Sequence, residues 1–347
     1  MYKYSKFLLI LSVLLLSACA SVPVENADTQ DEMAETTAMD KVKVAYVPIM
    51  KFATMYVAAE RGIFEKHGLD VEIERVKSGS EAIAFLSEGQ IDVGGIAIVT
   101  SLWNGWNQGL DIRVIAPGAL EPFEDSPTKV IARKELVDNS EISNAADLAG
   151  RTVSIAGGPG SGAEYLLSKA LQRGGLTIGD IESVNISNAD APAAFANGSV
   201  DAALLGSPFA DQVIEAGDGV AIETDLTPGL MTVAFVGSGN FVNERPDVAK
   251  RFVLALTEAV RMMQGDDYLA DENLAAYLKY TNSTEDALRN GRPVVYDVNM
   301  NIPVDGLSDV EATHRSNGRT EYDTPIDMTT VVDTGFVEAA LSTLGEQ

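Results

Sequence analysis

The chain of 347 residues has a single cysteine, Cys19, and two histidines, His67 and His314. One thiol excludes an intrachain disulfide and a zinc ribbon, and two imidazoles leave most zinc sites and histidine-based catalytic sets short of parts. Basic residues are also scarce: 25 Lys+Arg stand against 51 Asp+Glu, a formal charge of -26. That balance excludes a nucleic-acid binder, which needs a positive footprint to displace counterions, and a polybasic membrane-surface domain. The acidic excess instead implies a soluble, self-repelling surface, of the kind suited to a salty medium. What is present in quantity is apolar: 46% hydrophobic residues, with 30 glycines and 13 prolines. Such a chain buries a sizeable core, is neither disordered nor collagen-like, and at this length suggests two domains.

The N-terminus reads as an address. Lys3 and Lys6 precede an apolar run over residues 7–16, too short for the roughly 20 residues of a bilayer span. The run closes on Leu16-Ser17-Ala18-Cys19, which resembles the lipobox of bacterial lipoproteins. Cys19 is then the expected lipidation site, and residues 1–19 a lipoprotein signal peptide. Ala20 stands where an aspartate would signal inner-membrane retention, so the final membrane is open. Residues 20–40 carry six carboxylates and no base. They read as a flexible acidic tether that holds the body about 25 Å from the anchor.

From Lys41 onward the chain alternates strand and helix, the pattern of a mainly parallel sheet flanked by helices. Strands are expected at residues 42–46, 69–76, 91–96 and 112–116. Tyr56, Ala59 and Ile63 share one helix face ending near Gly68, with His67 a solvated helix-end residue, and a further helix covers residues 80–88. The acidic, proline-bearing segment 121–126 reads as a crossover. A second series follows, with strands at 130–132, 153–156, 181–186 and 202–205 and helices at 161–173, 191–196 and 208–215. Residues 232–236 carry the chain back, and the apolar stripe Val248, Phe252, Leu256, Ala259 and Met263 marks a long helix. The expected architecture is α/β with two lobes. Residues 41–120 and 236–347 form lobe I and residues 121–235 form lobe II. Two chain crossings make a hinge, and the cleft between the lobes is the default ligand site.

The strongest local chemistry lies in the turn over residues 157–163, Gly-Gly-Pro-Gly-Ser-Gly-Ala. Glycines let backbone N–H groups converge on a guest, and a helix N-terminus adds partial positive charge. A phosphate-cradling P-loop fails, because Ala163 and Glu164 stand where Lys and Ser/Thr belong. A dinucleotide fingerprint over Gly158, Gly160 and Ala163 has Glu182 at the wrong end of the next strand and Asp190 too late. A tight turn that only packs helix on sheet and a ligand-binding turn both stay open. Ser78-Gly79-Ser80, with Ser80 as a candidate N-cap, and Gly94-Gly95-Ile96-Ala97 repeat the design. Met50, Phe52 and Tyr56 offer an apolar shelf beside them. Trp103 and Trp106 read as packing residues, and His314 as part of a polar C-terminal loop. No catalytic set or metal cluster emerges.

Residues 41–97, with KVKVAYVPIMKFATMYVAAERGIFEKHGLDVEIERVKSGSEAIAFLSEGQIDVGGIA, resemble the first lobe of the substrate-binding proteins of ABC importers for nitrate, taurine and alkanesulfonates. That family includes binders of thiamin pyrimidine precursors and of flavins. DLAGRTVSIAGGPGSGAEYLLSKALQRGGLT, APAAFANGSVDAALL and the late DMTTVVDTGFVEAAL extend the likeness over nearly the whole mature chain. The resemblance implies a two-lobe periplasmic-binding-protein fold of type II kind. It also implies a pocket drawn from Pro48, Met50, Phe52, Tyr56, Ser78, Gly79, Gly95, Ile96, Ala97, Gly160, Ser161 and Gly162. Where many relatives have Trp-Glu-Pro or Trp-Asp-Pro, this chain has Leu205-Gly206-Ser207-Pro208, which disfavours an amine-bearing zwitterion. Lys51 is the one base in the matched loops, so nitrate fits poorly. The implied role is an extracytoplasmic lipoprotein, monomeric and without cofactor or metal. It captures a sulfonate, organic anion or heteroaromatic nutrient and delivers it to an ABC permease and its ATPase. The rival readings are a thiamin-pyrimidine synthase-like enzyme, which lacks its histidine and cysteine motif here, and a sensor or structural surface lipoprotein.

Overall fold

The computed structural model describes residues 38–76 and 78–347. The lipobox with Cys19, nearly all of the expected tether and Lys77 lie outside the described residues. Two five-stranded sheets organise the body. The first comprises β1 (Asp40–Tyr46), β2 (Leu69–Arg75), β3 (Val93–Ala97), β4 (Ile112–Pro117) and β10 (Val233–Ser238), in the order β2-β1-β3-β10-β4. The second comprises β5 (Lys129–Arg133), β6 (Thr152–Ser154), β7 (Glu182–Val184), β8 (Ala202–Leu205) and β9 (Gly219–Glu223), in the order β7-β6-β8-β5-β9.

The two orders are the same topology written twice. β1 pairs in parallel with β2 and β3, as β6 does with β7 and β8. In each sheet one strand runs antiparallel, β10 in the first and β5 in the second. Each of these is the first strand the chain builds after crossing from the other sheet. The crossings, between Pro117 and Lys129 and between Glu223 and Val233, are tied to each other by the Leu120–Met231 bridge. Two adjacent crossing segments are the elements of a hinge.

Burial follows position in the sheet. Central β10 (VAFVGS) and β8 (AALL) are buried at every residue, whereas the outer β2 (LDVEIER) places Asp70, Glu72 and Glu74 between its apolar residues. Charges along an outer strand discourage edge pairing with another chain. One core packs helices Ala53–Glu60, Pro246–Arg261 and Gly335–Leu344 on the first sheet. There the Phe252 ring stacks on Phe64 at 5.2 Å. Full burial of such a ring contributes about 2–3 kcal/mol. A second core is continuous from Trp103 through Leu307 and Val310 to Tyr165 and Leu167.

Several local expectations change. The helix expected through Ile63 stops at Glu60, because Gly62 takes the left-handed conformation (φ 66°) and a new turn starts at Ile63. His67 is half-buried rather than solvated, with Nε2 2.9 Å from Glu258 Oε2. Ser78, not Ser80, caps helix Gly79–Ser87 by accepting from the Glu81 N–H. Strand β9 has no counterpart in the sequence reading, which passes from residue 215 to 232 without an element. His314 is not in a loop. It lies on helix Val304–Ser316, whose Leu307, Val310, Glu311 and His314 form one buried stripe.

Candidate ligand cleft between the two sheets

A cavity of about 320 Å³ opens between the facing ends of the two sheets. Ile49, Lys51, Ala97, Thr232 and Val233 line it from the first sheet and its loops. Thr128, Gly162, Ala163, Leu166, Asn188, Leu204 and Gly206 line it from the second, and Glu121 lies on the crossing. Apolar walls with a few convergent polar groups are the usual make-up of a small-molecule site. A larger groove of about 590 Å³ near Arg133, Phe195 and Asp218 belongs to the second sheet alone and is predominantly polar.

At the cleft floor Lys51 Nζ lies 2.5 Å from Glu121 Oε1 and donates to Thr232 Oγ1 at 2.8 Å. The Thr232 hydroxyl donates in turn to Glu121 Oε1 at 3.2 Å. Glu121 is 9% exposed at its side chain and Lys51 31%. Both hinge segments therefore supply a partner to one lysine of the first lobe. The same loop is fixed from behind. Ala119 N–H donates to the Lys51 carbonyl at 2.9 Å. The Tyr56 hydroxyl donates to the Ile49 carbonyl at 2.7 Å.

The twelve residues nominated by resemblance divide sharply. Ala97 and Gly162 line the cavity. Phe52 and Tyr56 are fully buried in the first core, so the expected apolar shelf does not face the cleft. Phe52 packs edge-to-face on Phe235 at 5.4 Å, and a Cβ on Gly95 would meet the Phe52 ring at 3.2 Å, a tight contact. Tyr56 stacks on Tyr280 at 5.1 Å, and its burial raises its phenol well above the ordinary value. Met50 is half-buried against that core, with its carbonyl accepting from the Tyr296 hydroxyl. Pro48 is half-buried in the loop that carries Ile49 and Lys51. Ser78 is an exposed cap, Gly79 packs against Ala97, and Ile96 is buried.

The Gly-rich turn is largely occupied by the protein itself. Gly157 N–H donates to Asn185 Oδ1 (3.2 Å), Gly158 N–H to the Ile155 carbonyl (3.1 Å) and Gly160 N–H to Glu164 Oε2 (2.7 Å). Gly157, Gly158 and Gly160 all have positive φ, at 86°, 65° and 76°. The left-handed conformation suits glycine, and it turns these N–H groups inward. Ser161 caps helix Gly162–Arg173 through Glu164 N–H, and the first-turn residues Gly162 and Ala163 are those that reach the cavity.

Sequence reasoning passed over Lys51 as a site residue, and also Glu121, Thr128, Asn188, Leu204 and Thr232. Their signal is positional: Leu204 is near the end of β8, and each of the others follows a strand end or sits on a crossing segment.

Behind the cleft, helix Val304–Ser316 touches both lobes. Trp103 Nε1–H donates to His314 Nδ1 at 3.0 Å. The Tyr165 hydroxyl and Lys169 Nζ donate to Asp309 at 2.6 and 3.0 Å. Just past the helix, Arg319 makes a bidentate pair with Glu164, whose side chain is 1% exposed. Burial holds the His314 imidazole below its ordinary value, against the opposing pull of Glu164 and Glu311. Among the described residues no cluster of three metal-ligating side chains occurs, and no helix is long and apolar enough to cross a membrane.

Comparison with known proteins gives the same architecture. Residues 35–279 match the NMT1-like family. The riboflavin-binding protein RibY of Chloroflexus aurantiacus is 25% identical over 265 residues, 71% of this chain and 70% of that protein. The periplasmic aliphatic sulphonate binding protein SsuA of Escherichia coli superposes with TM-score 0.66 at 18% identity, covering 85% of this chain and 92% of that one. The desulfurization enzyme DSZB shares the fold as well, with TM-score 0.61 at 18% identity over 88% of this chain and 99% of that one. The relatives are mostly binding proteins, but the fold itself hosts both binding and catalysis.

Proposed function

The chain belongs to the NMT1-like family, and on that premise we propose that it is the solute-binding component of an ABC importer, a capture protein and not an enzyme. The observation that carries the reading is the cavity lined from both lobes, with Glu121 and Thr232 of the two crossing segments meeting Lys51 at its floor. A solute held there contacts both lobes and the hinge together. Its binding energy then favours the arrangement in which the lobes approach, as differential affinity for one conformation requires. Capture needs no nucleophile or general base, and the cleft residues offer hydrogen bonds, a helix N-terminus and apolar walls.

In this proposal residues 41–120 with 236–347, and residues 121–235, are the two moving bodies, except that residues 233–235 open β10 of the first sheet and move with it. Cys19 is lipidated, residues 20–40 are the tether, and a membrane permease with its ATPase receives the solute from a monomeric carrier outside the cytoplasm. The binding residues are Ile49, Lys51, Ala97, Glu121, Thr128, Gly162, Ala163, Asn188 and Thr232.

A thermal-shift screen tests the reading, with protein unfolded and refolded to strip any guest. The panel holds alkanesulfonates, nitrate, their neutral amide counterparts, thiamin pyrimidines and flavins. A ligand at 100 times its Kd adds about 2.7 kcal/mol of stability, a shift of several degrees. A saturable shift with one solute class is expected. Folded protein that no solute shifts contradicts the capture role and favours a sensor or structural lipoprotein.

A further inference from the structure

We propose that the cleft is selective for a solute of no net charge that presents a hydrogen-bond donor to Glu121, and that it discriminates against simple anions. This rests on the capture reading above and assigns the solute class. Among the described residues lining the cavity only Lys51 and Glu121 have charged side chains, and they are each other's partner at 2.5 Å. An anion entering the cleft meets both charges at similar distance, so the attraction of one is largely offset by the repulsion of the other. To gain Lys51 for itself the anion must separate the pair. Glu121, 9% exposed and otherwise held by the Thr232 hydroxyl, is then left a desolvated carboxylate without a counterion. Losing the partner of a buried charge costs about a hundredfold or more in affinity.

A neutral donor avoids that cost. A carboxylate has about four lone-pair sites, and Lys51 and Thr232 both address Oε1. A ligand N–H or O–H can therefore be accepted by Glu121 while the Lys51 contact stays in place. Across the cavity Gly162 and Ala163 form the first turn of a 12-residue helix, where backbone N–H groups favour an acceptor oxygen. Ile49, Leu166, Leu204 and Val233 wall the space between. The matching solute carries an amide-like edge, with a donor toward Glu121 and an acceptor toward the helix, on a small apolar body.

The test compares methanesulfonate with its neutral isostere methanesulfonamide by titration calorimetry, on the wild type and on Glu121→Gln. The wild type is expected to bind the sulfonamide at least tenfold more tightly than the sulfonate. Glu121→Gln, which frees Lys51, is expected to gain at least tenfold for the sulfonate. A wild-type ratio below ten, or no binding of either probe, overturns the proposal without requiring the variant to fold. Wild-type preference for the sulfonate overturns the selectivity and leaves the capture reading standing. If no solute of the wider screen binds either, the capture reading fails with it.

Discussion

Gly160 of the second lobe and Thr100 of the first meet so closely that a Cβ on Gly160 would lie 2.6 Å from Thr100 Oγ1. Thr100 opens helix Thr100–Asn107, and Gly160 lies two residues before helix Gly162–Arg173. The starts of two helices, one from each lobe, therefore face each other with room for a hydrogen and not for a methyl.

Gly160→Ala should act on lobe approach. The position has φ 76°, so the substitution adds backbone strain of about 1 kcal/mol to the clash. The expected result is at least a tenfold loss of solute affinity and a larger radius of gyration in small-angle scattering. Adding Thr100→Ala should recover part of the affinity by restoring the gap. Equal affinity in Gly160→Ala and wild type would show that this contact plays no part in capture.

Tyr56 supports the site and does not touch the solute. Tyr56→Ala should cost about 3–5 kcal/mol of stability as a fully buried aromatic truncation. That revises the expectation, drawn from resemblance, that Tyr56 lines the pocket. Tyr56→Phe is the cleaner probe, because it removes only the bond to the Ile49 carbonyl. It should cost about 1 kcal/mol in denaturant melts and weaken binding by loosening the loop that carries Lys51. Full stability and affinity in Tyr56→Phe would remove the supporting role.

His314 makes stability depend on acidity. Its Nδ1 accepts the Trp103 indole proton, which requires the ring to be neutral at that nitrogen. Its folded-state value is depressed by burial from the ordinary 6.5. A depressed value means the unfolded chain takes up the proton first as pH falls. The contribution is therefore complete above about 6.5 and is lost as pH drops through the lowered folded-state value. Glu164, Glu311, Asp309, Arg315 and Arg319 surround this region on the packed elements. Unfolding free energy measured between pH 4.5 and 8 should fall across that window, and the slope should shrink in His314→Gln. An unchanged slope would exclude His314 as its source.

Arg319→Met should destabilise more than its partly exposed position suggests. It leaves the Glu164 carboxylate, 1% exposed, without its bidentate partner. Stranding a buried charge costs about 3–5 kcal/mol. A thermal melt should show a drop of several degrees, partly recovered by Glu164→Gln in the same background. A melt within one degree of wild type would contradict the assignment.

The sheet elements were legible because their apolar runs are bounded by glycine, proline and polar turns. β1, β3, β5, β8 and β10 lie within a residue or two of the expected positions. The helix break at Gly62 was not legible, since Ile63 continues the apolar spacing across it. In the loop after β1, position is legible to within one residue and side-chain direction is not; Glu121, Thr128, Asn188 and Thr232 carry no signal of that precision. The resemblance points to Pro48 and Met50, whereas Ile49 between them and Lys51 just after Met50 line the cavity. Phe52 and Tyr56 looked like a ligand shelf because an aromatic near a strand end reads the same in a cleft as in a core. His314 was misplaced for a related reason. Its neighbours Arg315 and Asn317 are polar, and only the packing of two lobes against Leu307 and Val310 reveals a buried helix face.

The most direct test of a solute held between two lobes is to block the cleft from each side in turn. Ile49→Trp fills it from the first lobe and Ala163→Trp from the second, at positions that are not fully buried. Titration of the solute identified by the thermal screen should show binding abolished in either single variant, with unchanged circular dichroism. Full affinity in one variant would mean that a single lobe suffices, and would contradict capture between the two.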